Sequence, residues 1–528
     1  MTTAARFDRA ALERLVVLLR AELGSAPPPA ANAVAATDWG ALEHTAELHG
    51  FAPFLERLLA PFAECVPQDA RERFELRAIG NRLRNRVVGA LLREIDEGLA
   101  AANAHAILLK GAALLHSLYA EEGPRALSDI DVLVPAAGLD VAAGALATTG
   151  FAPAPHPEKH FFRRDMHVVF LRPLLHSIPV EMHWDLAEPY RPYAFDLDAI
   201  FAAGRPVGPD WRALHTMSRE HTLAYLCVHL ERHAIFYRHV YRHIDRDDWL
   251  DLVVRGGAGV RLLWLYDVAL AVRRWRSAVD WDRFVECCNV WAIAPNVRAA
   301  LEICRRVFLL APPDDVIEPL HAGRAGLVGS IASRALTVLP GDVSRRLSES
   351  GHTTLVLALS EFFTPSVAYL RQRYGVRTRL PLLRLRHLME GVALTGRSLL
   401  SILHRASRTL TSSFSCERRL PPAPATEANR ADAWRHLYAK PHLMAEALPT
   451  GLAVYDPEDN AVHRLNSPAA RILALCDGSH TTGAIAAELR RQLEPDARVA
   501  DADVASTIDL LVENGLVIAE TEPRSGPD

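Results

Sequence analysis

The stretch that most restricts how this chain can fold is Ser-Asp-Ile-Asp-Val-Leu-Val, residues 128–134. Aliphatic residues alternate there with carboxylates, the pattern of a strand. Side chains on a strand point to opposite faces in turn, so Asp129, Asp131 and Leu133 share one face. Ile130, Val132 and Val134 take the other face, which packs on helices. The neighbouring sequence supplies both helices and strands. "HAILL" (105–109) reads as a short strand, and "GAALLHSLY" as a helix with Leu114, Leu115, Leu118 and Tyr119 along one stripe. "LDVAAGALATTG" reads as a second helix, ended by Gly150. "HVVFLRP" and "IPVEMHWDL" read as a hairpin pair. In the latter strand Val180, Met182 and Trp184 share the apolar face, and Glu181 lies opposite with His183.

If the two strands are neighbours, Glu181 joins the two aspartates. Three carboxylates within ~4 Å of one another repel by a few kcal/mol per pair at a protein's effective dielectric. Such a group calls for a cation, and Mg²⁺ takes carboxylate oxygens while keeping positions for water and phosphate. Lys110 is one of three lysines, with Lys159 and Lys440, among 59 Lys plus Arg, which favours a compact ammonium at that point over a guanidinium. The order strand, Lys110-Gly111, helix presents backbone N–H groups at a positive helix end, a seat for phosphate. Arg125, in the loop before the aspartates, is placed to clamp a second phosphate oxygen. The plain alternative makes D-x-D a strand edge and Lys110 a solvated residue. It serves for D-x-D alone, but less well for K-G, R and E-x-H taken together.

The stretch "LKGAALLHSLY…R..SDIDVLV…VEMHW" resembles the polymerase-β-type nucleotidyltransferase superfamily, and within it the family of uncharacterised nucleotidyltransferases, over about residues 75 to 275. By that resemblance Asp129 and Asp131 would hold two Mg²⁺, with Glu181 as third ligand and as base toward the attacking hydroxyl. Lys110, Gly111 and Arg125 would hold the triphosphate of an NTP substrate. The turn departs from the superfamily's usual Gly-Gly or Gly-Ser, reading Gly111-Ala112 here. This set suits in-line transfer, in which paired metals stabilise the entering and leaving oxygens.

His229 and His233 stand four apart in "HLERH", but Glu231 is not where a zinc-protease motif needs it. A structural or pocket-lining role is therefore favoured over zinc. The pair and Asp267 of "WLYDVAL" also resemble positions in the family's helical half, and with His183 they are expected as possible pocket residues.

With 528 residues the chain is too long for one core. A net charge of -4 gives no field that recruits nucleic acid or anionic lipid. Seven scattered cysteines without a C-x-x-C pair point to a reducing compartment, and no apolar run is long enough to span a membrane. A cytoplasmic location is expected. The expected fold class is α+β multidomain: largely helical, with a small mixed-sheet core and a C-terminal winged-helix-like domain. The expected divisions are an N-terminal helical region (1–100), a nucleotidyltransferase core (101–205), a helical domain completing the substrate cleft (206–405), a Ser/Thr/Pro-rich linker (406–434) and a closing domain (435–521).

The closing domain reads as three strands, "HLMAEAL", "LAVYD" and "AVHRL", then three helices. Ser467 is the expected N-cap of the first and Thr481 of the second, while Val504, Ile508 and Leu511 align on the third. "LNSPAARILALCDGSHTTGAIAAEL…LLVENGLV" resembles the PqqD family, whose relatives bind leader peptides of ribosomally made, post-translationally modified peptides. By that resemblance a peptide adds to the strand Ala461, Val462, His463, Arg464 and Leu465. DNA binding is disfavoured, because the third helix carries Asp501, Asp503, Asp509 and Glu513 and no basic residue. The leading expectation is a Mg²⁺-dependent nucleotidyltransferase guided by a leader-peptide domain. The alternative is a peptide chaperone or adaptor that has lost catalysis.

Overall fold

The computed structural model describes residues 8–119, 123–154, 166–173, 175, 178–187, 193–233, 261–320, 436–492 and 501–520. The expected linker 406–434, the run 321–405 and the side chain of His233 lie outside the described residues. The described part is an α+β multidomain protein, as expected.

The N-terminal third is helical. Helices α1 (Arg9–Glu22), α2 (Ala31–Ala35), α3 (Trp39–His49) and α4 (Leu55–Leu59) lead into α5 (Gln68–Ala101), which is 34 residues long. Asp8 and Asp38 cap α1 and α3 by accepting from Ala11 N and Ala41 N, and Gly50, at φ 81°, closes α3 in the left-handed region.

The chain then builds a seven-stranded mixed sheet in the order β3-β4-β5-β2-β1-β7-β6. Its strands are β1 (Ala106–Leu108), β2 (Ile130–Leu133), β3 (Ala152–Pro153), β4 (His167–Leu171), β5 (Val180–His183), β6 (Arg205–Pro206) and β7 (Leu214–Thr216). Helices α6 (Lys110–Ser117), α7 (Leu139–Thr148) and α8 (Leu197–Ala202) lie between them in sequence. β4 and β5 form the expected antiparallel pair, and β5 runs parallel to β2. Ile130, Val132, Val134, Val180 and Met182 pack in one cluster with Val88, Leu91, Leu92 and Ile95 of α5. The apolar faces assigned from the two-residue alternation are those that meet the helix.

The sheet runs beyond the boundary expected at 205, because β7 pairs in parallel with β1. Three residues are too few to show a period. The strand is pinned by Asp96 of α5, whose carboxylate accepts from the backbone N–H groups of Arg212, Ala213 and Leu214.

Against the other face lies a helical body of α9 (Arg219–His233), α10 (Leu262–Arg274), α11 (Trp281–Val290), α12 (Ala294–Phe308) and α13 (Asp314–Ile317). It shares one core with α1, α3 and α4, reaching Ile107, Leu114 and Leu133.

The closing domain holds β8 (His436–Ala439), β9 (Met444–Leu448), β10 (Gly451–Asp456), β11 (Ala461–Asn466), α14 (Ser467–Leu475), α15 (Thr482–Gln492), α16 (Asp501–Glu513) and β12 (Val517–Glu520). β11-β10-β9 form one antiparallel sheet and β8 pairs with β12, a pairing of the two ends of the domain that no local period reveals. Asn466 rather than Ser467 caps α14, accepting from Ala469 N, because the helix begins at Ser467 itself. Thr481 caps α15 by accepting from Ala484 N. β10 is covered on both faces: Val454 joins the core of the three helices, and Ala453 and Tyr455 join the core of α5. α5 thus serves two sheets. At Gly80 a Cβ would stand 3.0 Å from Val462 Cβ, so glycine lets β11 approach the helix.

Candidate active site

The parallel register of β2 and β5 places Asp131 opposite Glu181 and Leu133 opposite His183. Asp129 sits one residue before β2, where Ser128 Oγ donates to its Oδ1 at 3.0 Å. Ligand atoms of Asp129, Asp131 and Glu181 all lie within 4.8 Å of one another. The carboxylates that the strand pattern puts on one face therefore meet in space.

What surrounds them decides their charge. Asp131 is 2% exposed, and burial alone would raise its pKa. Lys110 Nζ donates to its Oδ1 at 2.7 Å, and His183 Nε2 lies 2.8 Å from the same oxygen. These partners outweigh burial and hold Asp131 far below the usual carboxylate range. Asp129 lacks such partners. Burial first, then the charge on Asp131, pushes it up to about 6, against the counter-pull of Lys110. In Glu181, too, burial raises the pKa, but the hydrogen bond from His183 leaves it lowered.

This donor set is all oxygen and sets Asp129 against the like charge of Asp131, which fits a hard divalent cation. When bound, such a cation would supply charge neutralisation to a phosphate group held beside it. A second donor group, His167, Glu181 and His183, overlaps the first through Glu181. His167 pairs with His183 in the β4–β5 register, and their rings stand 4.9 Å apart.

Lys110 has φ 46°, a left-handed conformation costly for a side-chain-bearing residue, at the first position of α6. That turn carries its ammonium to Asp131. Gly111 answers to packing: a Cβ there would lie 2.4 Å from both Arg125 Nη1 and Leu127 Cδ2. The guanidinium of Arg125, expected at the triphosphate, is instead held by Asp267. Nη2 and Nε reach Oδ2 at 2.7 and 3.1 Å, with the pair 6% and 1% exposed. Tyr119 donates to Asp267 Oδ1 at 2.8 Å. Asp267 is therefore a counter-ion that ties α10 to the loop before β2. His229 packs between the rings of Tyr225 and Trp264 in the helical core and is not part of the acidic group.

Sequence reading missed His167, Tyr119 and three buried polar residues of α5, Asn81, Arg84 and Asn85. The signal for His167 was its register against His183. For α5 it was polar residues three and four apart on a face that is otherwise apolar.

Among the described residues no helix is long and apolar enough to cross a membrane. None of the curated proteins and none of the solved structures matches the chain. The family model described as coenzyme PQQ synthesis protein D (PqqD) matches residues 451–517, the greater part of the closing domain. The model described as uncharacterised nucleotidyltransferase matches residues 35–309, more than half of the chain, spanning α3, the seven-stranded sheet and the helical body as far as α12. With its carboxylates gathered on β2 and β5 inside that span, the chain belongs to the uncharacterised nucleotidyltransferase family.

Proposed function

We propose that the protein transfers a nucleotidyl group from an NTP in a Mg²⁺-dependent reaction, and that its PqqD-like domain brings the peptide on which it acts. The observation that carries this is the cluster of Asp129, Asp131 and Glu181 beside Lys110. Asp129, Asp131 and Glu181 would hold two Mg²⁺. Lys110 balances their charge and meets the triphosphate near Gly111, while Arg125 braces the loop from behind. An acceptor oxygen forms a bond to the α-phosphorus as the bond to the bridging oxygen breaks. Pyrophosphate departs, and the acceptor's proton passes to Glu181. Position and charge do the catalytic work.

The peptide adds as a strand along Ala461, Val462, His463, Arg464 and Leu465. β11 is the edge of its sheet, where main-chain hydrogen bonds supply affinity. This reading places the reaction in maturation of a ribosomally made peptide in the cytoplasm.

The test is incubation of the full chain with each NTP, Mg²⁺ and the precursor peptide encoded beside the gene, read by intact mass. A nucleotidyl mass increment, absent in Asp129→Asn and reduced together with peptide binding in His463→Pro, is expected. No increment, and no Mg²⁺-dependent nucleotide binding, would retire the enzyme reading. The second reading, a peptide adaptor without catalysis, draws on two observations: Lys110 is already bonded to Asp131, and Arg125 to Asp267. Peptide binding without nucleotide binding would favour it.

A further inference from the structure

Arg84, in the middle of α5, is 6% exposed. Its Nε donates to the carbonyl of Leu127 at 2.8 Å, and Nη2 to that of Ser128 at 3.3 Å. On its other side Nη1 donates to the Tyr455 hydroxyl and to Asn460 Oδ1, both at 2.8 Å. The Tyr455 hydroxyl in turn donates to Asn460 Oδ1 at 3.0 Å. One guanidinium therefore fastens the two residues before Asp129 to a hairpin of the closing domain. Arg suits this position because it presents five donors in one rigid plane, which a lysine cannot reproduce.

At Gly123 the loop is held by the helix itself. Asn81 and Asn85 of α5 each donate to the carbonyl of Gly123, at 3.0 and 2.9 Å. At Arg84 the second domain enters the loop's support. Loss of a hairpin acceptor removes a partner of the buried Nη1, and a buried donor that loses a partner favours a rearrangement that restores one. Such a movement would carry the Leu127 and Ser128 carbonyls with it, next to a carboxylate whose cation tolerates little distortion.

We infer that Arg84 is a positioning residue through which the closing domain sets the cation site: the β10–β11 hairpin holds the guanidinium, and the guanidinium holds the Asp129 loop. The inference rests on the proposed function, in that Asp129 serves a divalent cation. It goes further by making the PqqD-like domain a structural part of the transfer site. β11 begins at Ala461, next to Asn460, so the clamp adjoins the edge proposed for the peptide.

Manganese alone is the probe, titrated into the full chain without nucleotide and followed as free Mn²⁺ by electron paramagnetic resonance. Asn460 is exposed and has φ 54°, so Asn460→Gly removes the acceptor while keeping a compatible backbone. Tyr455→Phe removes the other acceptor from a buried position, and Asn460→Asp retains an acceptor oxygen.

Asn460→Gly and Tyr455→Phe should each weaken Mn²⁺ binding by about two- to thirty-fold. Their melting midpoints should stay near the parent's, and Asn460→Asp should keep the parent affinity. Probing from an exposed and a buried position separates coupling from a folding defect in either variant. If the parent binds Mn²⁺ in an Asp131-dependent way and both hairpin variants bind it equally well, the inference is overturned and the proposed function stands. If the parent binds none, or Asp131→Asn changes nothing, the proposed function falls and this inference with it.

Discussion

Asp129 and Asp131 stand one residue apart, and their surroundings move them in opposite directions. Asp131 has Lys110 and His183 on one oxygen, whereas Asp129 has burial and a neighbouring negative charge. An acid whose pKa is raised on folding contributes stability below its unfolded value and loses it as pH rises through the folded value. For Asp129 that window runs from the ordinary value of 3.8 to about 6. Metal-free Asp129→Asn should therefore be the more stable protein at pH 7.5, by about 3 kcal/mol from a shift of that size. The difference from the parent should vanish near pH 4. Paired thermal melts across that pH range check this, and a parent equal to or more stable than the variant at pH 7.5 would contradict it. The same substitution should abolish Mn²⁺ binding, which marks Asp129 as a residue kept for function at a cost in stability.

Among the elements, the loop before β2 and helix α10 depend on one another through Arg125 and Asp267. The pair is bidentate and almost fully buried, with Tyr119 completing the acceptor's bonds. Removing one member leaves a charge without compensation in the interior, which costs about 3–5 kcal/mol, whereas an apolar pair of similar volume is far less disruptive. Arg125→Ala should thus lower the denaturant midpoint markedly, and the double variant Arg125→Leu with Asp267→Leu should recover much of the loss. Intrinsic fluorescence against urea measures both. A double variant as unstable as the single would show that packing, not charge, sets the effect. The sequence placed Arg125 and Asp267 in the site region, but not as partners, since 142 residues separate them.

For the whole molecule, the decisive contact is α5 against the closing sheet. Its ion pairs, among them Arg82 and Arg86 with Glu446 and Arg464 with Glu72, are partly exposed and contribute little. The contact rests instead on Tyr455 and Ala453 in the α5 core, and on Val462 at Gly80. Raising salt to about 1 M should leave the domains together, because screening weakens only the exposed charges. Gly80→Leu should separate them, although leucine favours a helix over glycine by about 1 kcal/mol. Small-angle scattering should report a larger radius of gyration for that variant, with the helical signal unchanged. An unchanged radius would mean that Val462 yields and that the interface does not depend on the close approach.

Read alone, the sequence determined what local periods and end signals can encode. Those were the D-x-D strand and its two faces, the E-x-H strand, the helical region before them, and the strand-then-helix order of the closing domain. It did so because alternation, helical spacing and capping act over a few residues. The tertiary structure alone decided which strands are neighbours, so that Asp131 faces Glu181 and β7 joins β1. It also decided where each charge is neutralised: Lys110 on Asp131, Arg125 on Asp267, and Arg84 between Leu127 and Asn460. Burial removes water as the partner of every such group, and the replacement comes from wherever the fold brings a complementary charge. That choice depends on distance in space, which no spacing along the chain expresses.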